Sequence, residues 1–300
     1  MTLQQPLDPA GAHRAPASPL VEFWNETLAP KFIRYQHIME GGLARHSREV
    51  MAHLDIPSDA KVLDVGCGFG DTAIAIANRV YPKGKVLGVD CCDAFLSIAR
   101  NRPERFFAPN VQFENRDAER DLGEAEFDFV FSRFGTMFFT NPVAGLRSIR
   151  RSLKPRGRFA HIVWRRRDEN PWVAAARDVV SRFLPPPGEN AQTCGPGPFS
   201  MADEQTTRAK MEAAGFTDIA FRRIDAKVLV GRDIEDAVCF QLAIGPAGEI
   251  YREAGPVGEA RRAEIVVALS ELFEKVQAQG GGLWMDSSSW LITATNPASA

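Results

Sequence analysis

The chain has 300 residues, of which 45% are hydrophobic and 25% are charged, a composition typical of a globular protein with a sizeable core. Its 36 basic and 38 acidic side chains give a net charge of -2, whereas proteins that bind nucleic-acid phosphates usually carry a clear basic excess. The composition therefore argues against a dedicated nucleic-acid-binding protein.

The cysteine content and the N-terminal sequence indicate a cellular compartment. Five cysteines are an odd number and few for this length, which predicts free thiols in a reducing compartment. No apolar run approaches the ~20 residues that span a bilayer. Because residues 1–20 contain several prolines and no apolar stretch of the signal-peptide type, we expect a cytoplasmic protein without stable membrane insertion.

The N-terminal region divides into a tail and a helical segment. Residues 1–20 are rich in proline and alanine and lack periodicity, which predicts a mobile tail. Residues 21–57 repeat apolar side chains at helical spacing, with an interruption at Pro30, and this pattern predicts two or three helices. The domain proper is expected to span residues 58–300.

Strand and helix patterns alternate from residue 61 to residue 164. Short apolar runs that end at glycine or a polar residue predict buried strands, and the segments between them have helical spacing. The predicted strands are 61–66, 85–90, 111–116, 127–132 and 158–164, and the predicted helices are 71–80, 93–101 and 141–153. This alternation is typical of βαβ crossovers and predicts an α/β fold with a mostly parallel sheet.

The periodicity is weaker after residue 164, and Pro185-Pro186-Pro187-Gly188 marks a loop. Further elements are still recognisable from apolar spacing and from glycines that end helices. Helices are predicted at 202–215, 233–244 and 258–277, and strands at 218–224 and 290–295.

A glycine-rich turn, Gly66-Cys67-Gly68-Phe69-Gly70, joins the first predicted strand to the helix that follows it. Glycines permit positive φ and close approach of a ligand, and the helix N-terminus offers free N–H groups. Since tight βα turns also need glycine for purely structural reasons, the turn alone leaves a binding role and a structural role open.

The spacing around this turn bears on which ligand it would bind. A dinucleotide fingerprint needs its third glycine at position 71, where this chain has Asp71. Asp64 lies in the strand just before the turn, where a carboxylate repels a pyrophosphate and favours a cationic amino-acid group. The pattern argues against a nicotinamide dinucleotide, although a nicotinamide-dependent oxidoreductase remains an alternative.

Two more acids follow the next two strands. Asp90 ends the second strand, where its carboxylate can accept both hydroxyls of a ribose, although strand-end aspartates also cap helices. Asp117 follows the third strand, a place that suits an adenine amino group, with the N–H of Ala118 near the ring; alone it is typical of a solvated acid. Because carboxyl ends of parallel strands share one edge, Asp64, Asp90 and Asp117 are expected to lie close together.

Taken together, these features resemble the class I S-adenosylmethionine-dependent methyltransferases from about residue 61 to residue 164. VLDVGCGFGD resembles the family's first motif, GVD ending at Asp90 its ribose-binding acid, and RDAE around Asp117 its adenine-side loop. FDFVFSRFGTMFF and LKPRGRF resemble its fourth-strand motif and the turn before its fifth strand. The FGTMFF and ENPW segments are most similar to the small-molecule branch, which includes quinone methyltransferases.

The resemblance implies a Rossmann-like, doubly wound sheet of seven strands in the order 3-2-1-4-5-7-6, with the last strand antiparallel. It implies S-adenosylmethionine as cofactor and methyl transfer to an oxygen, carbon or nitrogen of a small-molecule acceptor; a regulator that binds the cofactor without turnover is a further alternative. The implied cofactor-binding residues are Asp64, Gly66, Cys67, Gly68, Asp90, Cys91, Asp117, Ala118, Ser132 and Arg133.

The same resemblance divides the domain into two halves. Residues 61–164 form the cofactor half and residues 165–300 the acceptor half. The helices at about 233–277 are longer than a minimal fold of this family needs, so we expect them to cover the acceptor together with the helices of residues 21–57.

Other candidate residues remain ambiguous in sequence. His37 and Tyr35 are candidates to face the site, but no general base is identified, and His161 lies in an apolar run typical of a core residue. Cys91 and Cys92 are adjacent and no C-x-x-C occurs, so no metal site is predicted. The expected acceptor wall comprises Phe134, Met137, Phe138, Phe139 and Trp164.

Nine arginines and lysines lie between residues 147 and 167. This basic stretch is compatible with solvated faces on either side of the fifth strand, with an anionic acceptor, or with an acidic membrane surface.

Overall fold

The structure is a computed structural model that describes residues 18–298 apart from 189–190, 192–193 and 277. Most of the predicted tail, residues 1–20, lies outside the described residues. The first helix begins at Pro19 with Ser18 as its N-cap, so the boundary predicted at residue 20 is corrected.

The N-terminal region forms a chain of short helices. They are α1 (Pro19–Phe23), a π-helical turn (Trp24–Leu28), α2 (Ala29–Arg34), α3 (Gln36–Gly41) and α4 (Ala44–Met51). Tyr35, with φ −105° and ψ 26°, separates α2 from α3. Pro30 does not end a helix, because it occupies the first turn of α2, where its missing N–H is not needed.

Strands and helices alternate between residues 61 and 164 as predicted. The strands are β1 (Lys61–Val65), β2 (Lys85–Asp90), β3 (Val111–Asn115), β4 (Phe127–Arg133) and β5 (Leu153–Trp164), and the helices are α5 (Asp71–Val80), α6 (Asp93–Asn101) and α7 (Pro142–Ser152). Asn141 caps α7 by accepting the N–H of Ala144 at 3.0 Å. Strand β5 begins at Leu153 rather than at residue 158, because Leu153 already pairs with Phe127 of β4.

The second half contains more helix than the sequence predicts. Its elements are α8 (Pro171–Val180), α9 (Glu204–Ala214), β6 (Thr217–Gly231), α10 (Ile234–Ala243), α11 (Gly245–Ala254), α12 (Pro256–Ala260), α13 (Arg262–Glu274), β7 (Ala278–Gln279) and β8 (Gly282–Thr295). Helix α11 is missed because Gly245-Pro246 resembles a break, yet proline is favoured in the first turn of a helix. None of the helices in the described part of the chain is long and apolar enough to cross a membrane.

The strands form one sheet in the order β3-β2-β1-β4-β5-β8-β6, and β7 pairs with β8. Strands β1 to β5 are parallel, whereas β8 runs antiparallel to both β5 and β6. With β8 in the seventh place the order is 3-2-1-4-5-7-6, so the predicted Rossmann-like sheet is confirmed. The strand order reverses between β1 and β4, and ligands of such sheets bind outside the carboxyl ends at that point.

Strands β6 and β8 are each longer than predicted. They form a continuous antiparallel ladder that reaches from Thr217–Thr295 at one end to Gly231–Leu283 at the other. The ladder extends beyond the predicted runs because the outer halves of the two strands pair with each other, and Val228, Val230 and Leu283 there are buried in the core.

The basic stretch between residues 147 and 167 has local partners. Ion pairs join Lys154 to Asp128, Arg158 to Asp55, Arg165 to Glu169 and Arg166 to Asp168. Arg147 and Arg150 donate to the carbonyls of Ala213 and Ala214 at the end of α9. These contacts fit structural and solvated roles on either side of β5.

His46 anchors the N-terminal helices to the sheet. Its two ring nitrogens lie 2.8 Å from the hydroxyls of Ser287 and Ser289 on β8, and the side chain is fully buried. Burial lowers the pKa of His46 to about 4. The imidazole is therefore neutral near pH 7 in the folded protein, since burial outweighs the opposing effect of the Asp225 carboxylate.

This burial predicts a loss of stability in acid. The unfolded chain protonates His46 near pH 6.5, while the folded chain does so only near pH 4. As the pH is lowered between these two values, the free energy of unfolding of the wild type should fall by about 1.4 kcal/mol per pH unit relative to that of His46→Asn. Urea denaturation at several pH values measures the difference.

His53→Asn is the matched control, because His53 lies on the surface directly after α4. Its stability relative to the wild type should not vary with pH in this way. Equal pH dependence of the wild type and His46→Asn would contradict a neutral, buried His46.

Candidate active site

A cavity of about 290 Å³ lies outside the carboxyl ends of the central parallel strands. Its walls come from the loops after β1, β2, β3 and β4, from the end of β5, from the N-terminal helices, and from α8 and α11. The strand-order reversal thus places a cavity where an open α/β sheet binds its ligand.

The glycine-rich turn after β1 forms one wall of this cavity. Gly66, Gly68 and Gly70 have φ of 69°, 52° and 84°, values that side-chain-bearing residues rarely adopt. A Cβ on Gly70 would lie 2.8 Å from side-chain atoms of Ala99 and Phe113, whereas a Cβ on Gly68 would meet nothing within 4 Å. Gly70 is thus required for packing, and Gly68 leaves open space beside the cavity.

Asp90 connects this turn to the end of β2. One carboxylate oxygen accepts the N–H of Gly68 at 2.9 Å and the other accepts the N–H of Cys92 at 3.0 Å. Burial raises the pKa of Asp90, and these backbone hydrogen bonds oppose the rise. Asp90 lines the cavity and keeps lone pairs that a ligand hydroxyl can reach.

Asp64 and Ser132 lie behind the wall, although direct contact with a ligand is expected from the sequence. Both are fully buried. Asp64 accepts the hydroxyl of Thr72 at 2.6 Å, and Ser132 donates to the carbonyl of Val65 at 2.7 Å. Burial raises the pKa of Asp64 to about 7, although the hydrogen bond from Thr72 opposes the rise. The contacts of Asp64 and Ser132 place both residues beneath the turn, where they support it.

Arg133 lines the cavity, but its guanidinium has protein partners. It forms two hydrogen bonds to Asp71, at 2.7 and 2.8 Å, and a third to the hydroxyl of Ser47 at 3.1 Å. This bidentate pair joins the end of β4 to the first turn of α5 and to α4. It also explains why an acid, rather than the third glycine of a dinucleotide fingerprint, is present at position 71.

Asp117 and Ala118 line the cavity at the end of β3. The Asp117 carboxylate accepts the N–H of Glu119 at 3.0 Å and pairs with Arg120 at 3.2 Å. Cys67 and Cys91 also line the cavity, and the carbonyl of Cys91 accepts the side-chain amide of Asn25 from the N-terminal helices at 3.0 Å. Eight of the ten predicted cofactor residues thus share one cavity, and their binding role stays a prediction.

Asp90, Cys91 and Cys92 bring potential metal-ligand atoms within 4.8 Å of one another. The Asp90 oxygens already accept two backbone N–H groups. A hydrogen bond to Cys91, followed by burial, raises the pKa of the Cys92 thiol, and metals bind the thiolate form. This chemistry disfavours a metal at the cluster.

The rest of the wall is largely aromatic. Trp164 stacks on Phe134 with ring centroids 4.0 Å apart, and Trp24 meets Phe138 edge-on at 5.0 Å. Phe134 has a φ of 56°, while its N–H donates to the carbonyl of Ile162 at 2.8 Å. Every residue predicted for the acceptor wall lines the cavity, namely Phe134, Met137, Phe138, Phe139 and Trp164.

The histidine and tyrosine candidates are directed elsewhere. His37 contacts the Asp236 carboxylate at 2.8 Å, and Tyr35 packs edge-on against Phe240; neither lines the cavity. His161 is a core residue bonded to the hydroxyl of Thr136 at 2.8 Å, as predicted, and burial lowers its pKa to about 3.

Several cavity residues are missed by the sequence analysis. The N-terminal helices contribute Trp24 and Phe32, and α11 contributes Glu249 and Arg252. The two segments meet, since the Arg252 guanidinium lies 5.1 Å from the Phe23 ring centroid. The helical apolar spacing around Trp24 and Phe32 is a sequence signal for their place in the wall. Glu249 has no such signal, because the Gly245-Pro246 start of its helix resembles a helix break.

Comparison of the sequence with known proteins finds similarity to methyltransferases. Residues 56–182 match a protein-family model described as a methyltransferase domain. The ubiquinone/menaquinone biosynthesis C-methyltransferase UbiE of Ectopseudomonas mendocina is 29% identical over 240 residues, which cover 75% of this chain and 93% of that protein. UbiE of Pseudomonas putida is 28% identical over 214 residues, 68% of this chain and 83% of that one.

Solved structures share the fold. The YcgJ protein of Bacillus subtilis has a TM-score of 0.52 at 17% identity and covers 85% of this chain and 100% of its own. Phosphoethanolamine N-methyltransferase 2 of Haemonchus contortus, solved in complex with S-adenosyl-L-methionine, has a TM-score of 0.55 at 15% identity, covering 94% of this chain and 60% of its own. At such identities these similarities show the shared architecture alone.

The contrast between two glycines of the turn gives a stability prediction. Gly70→Ala should lower the free energy of unfolding by about 2–5 kcal/mol, because positive φ and the clash with Ala99 and Phe113 add. Gly68→Ala should lower it by only about 1–2 kcal/mol, since positive φ is its sole penalty. Urea denaturation of both variants tests this, and equal losses would contradict the packing role of Gly70.

Proposed function

We propose that this chain is a class I S-adenosylmethionine-dependent methyltransferase and that its acceptor is a planar, largely apolar aromatic small molecule of quinone-like or polyketide-like size. The aromatic wall carries this proposal: Trp164 stacked on Phe134 and Trp24 against Phe138 line the same cavity as Asp90 and Gly68. Aromatic side chains favour flat apolar ligands. The names of the UbiE relatives support a quinone-like acceptor.

The cofactor half of the cavity fits S-adenosylmethionine. The open space beside Gly68 and the lone pairs of Asp90 suit a ribose held against the turn, and Ala118 and Cys91 provide a surface for an adenine beside Asp117. The cofactor supplies an electrophilic methyl group on a sulfonium. Asp64, Ser132 and Arg133 act by holding the turn and strand ends in place.

Two helical segments enclose the acceptor in this proposal. Residues 21–57 supply Trp24 and Phe32, and the helices within 233–277 supply the face of α11 that includes Glu249. The Arg252–Phe23 contact and the His37–Asp236 bond join the segments. Closing both sides excludes water and aligns the acceptor, which are the main tasks of a protein in methyl transfer.

The other proposed functions find less support. Asp71, held by Arg133, stands where a dinucleotide-binding turn has glycine. A regulator without turnover has no need for an aromatic compartment next to the cofactor half. We also propose a cytoplasmic location, which the free cysteines at positions 67, 91, 92, 194 and 239 support.

Cofactor binding can be tested by calorimetric titration with S-adenosylmethionine and, separately, with NADH. The wild type should bind S-adenosylmethionine and not NADH. Asp90→Asn should weaken binding by about tenfold or more, because a charged hydrogen-bond acceptor contributes about 1.5–3 kcal/mol. Gly68→Ala should weaken it as well, since its Cβ enters the open space.

The matched control is Asp93→Asn, because Asp93 is exposed in the first turn of α6 and does not line the cavity. This variant should bind like the wild type. Binding of NADH in place of S-adenosylmethionine, or equal affinity in Asp90→Asn and Asp93→Asn, would contradict the proposed site.

A further inference from the structure

Among the residues that the structure describes, four acidic side chains line the cavity: Asp90, Asp117, Glu119 and Glu249. The first three already accept hydrogen bonds from backbone N–H groups of the protein. Asp90 and Asp117 accept backbone N–H groups as described above. Glu119 accepts the N–H of Thr140 at 2.7 Å and that of Asn141 at 2.8 Å.

Glu249 differs from the other three acids. Its side chain is half-buried, and its carboxylate forms no hydrogen bond or ion pair with the residues that the structure describes. It lies on α11 among apolar lining residues such as Ile244 and Pro246. A half-buried carboxylate among apolar side chains loses part of its hydration, and acids with perturbed pKa values in a cleft are candidates for functional groups.

The charges around Glu249 come from several elements. Arg252 and Glu253 belong to its own helix, Arg167 to the turn after β5, and Cys194 to the loop before α9. Arg252 is itself paired with Glu253 at 2.8 Å. Burial raises the pKa of Glu249, and Arg252 opposes that rise, while burial raises the pKa of Cys194 to about 11 and keeps its thiol neutral.

We propose that Glu249 is the general base that removes a hydroxyl proton from a phenolic acceptor. The proposal rests on the proposed function and narrows it to acceptors with an acidic hydroxyl, such as phenols, naphthols and hydroquinones. A free carboxylate on the acceptor side of the cavity can accept one hydrogen bond from such a hydroxyl. Burial raises the pKa of that carboxyl group, while Arg252 and Arg167 favour its ionised form.

The proton and the electron pairs can be followed through the reaction. The acceptor O–H bond breaks, its proton forms a new bond to a Glu249 oxygen, and the electron pair stays on the acceptor. That pair, on the oxygen or delocalised to a ring carbon, forms the bond to the methyl carbon. The pair of the broken carbon–sulfur bond remains on sulfur, so S-adenosylhomocysteine leaves with a neutral sulfur. In carbon methylation the ring carbon then loses its proton and the oxygen regains one, which restores the phenol.

The test measures kcat and KM with 1-naphthol, catechol and 1,4-naphthohydroquinone as probes, with 1,4-dimethoxynaphthalene as a probe that lacks the proton. The wild type should methylate at least one hydroxylated probe and not the dimethoxy compound. Glu249→Gln should lower kcat by about 10²–10⁴-fold, the usual contribution of a general base. Its affinity for S-adenosylmethionine should match the wild type, which also reports an intact fold.

The pH profile separates a base from a structural residue. Since Glu249 must be ionised, wild-type kcat should rise with pH through its raised pKa and then level off. In Glu249→Gln this rise of kcat with pH, the acid limb of the profile, should be absent. The rate should then rise only as the phenol itself ionises, near pH 10 for a simple phenol. Glu249→Asp should keep the limb and part of the rate, and Glu235→Gln, an exposed glutamate on α10, should behave like the wild type.

Each outcome has a distinct meaning. A Glu249→Gln enzyme with wild-type kcat and an unchanged profile would overturn the role of Glu249 and leave the methyltransferase intact. A wild type that binds S-adenosylmethionine but methylates none of the hydroxylated probes would overturn the phenolic acceptor and, with it, the base. Absence of S-adenosylmethionine binding would overturn the proposed cofactor site itself.

Discussion

The cofactor side of this protein depends on one carboxylate. Asp90 at the end of β2 accepts the N–H of Gly68 from the turn after β1 and the N–H of Cys92 from the turn after β2. Two loops that leave neighbouring strands are thereby fixed to each other. The hydrogen bonds also oppose the rise in the pKa of Asp90 that burial causes, and so favour the charged form of this carboxylate.

The two halves of the cavity arise in different ways. The cofactor half follows from local sequence, since each contributing residue lies within a few positions of a parallel strand and such strands end at one edge. The acceptor half combines segments far apart in the chain, as the contact between Phe23 of α1 and Arg252 of α11 shows. The fold can thus retain one cofactor site while the covering helices change the acceptor.

This division also explains what could be predicted from the sequence. The βαβ elements and the order of the sheet follow from apolar periodicity and from a family resemblance, and the bounds of α5, β2 and α6 agree with prediction. The lengths of β6 and β8 depend on their mutual pairing, which no local pattern contains. The hydrogen bond from Arg133 to Ser47 and the burial of His46 likewise depend on how α4 packs against the sheet, which local sequence does not determine.

Glu249 is an acid in the proposed acceptor wall without a partner among the residues that the structure describes. Glu249 is half-buried among apolar residues and has lost part of its hydration, so its ionised form has a cost when no acceptor is present. A hydroxyl donor relieves that cost on binding, whereas an acceptor that lacks one leaves it in place. The aromatic wall therefore selects for shape, and Glu249 adds a chemical requirement that an apolar pocket alone does not impose.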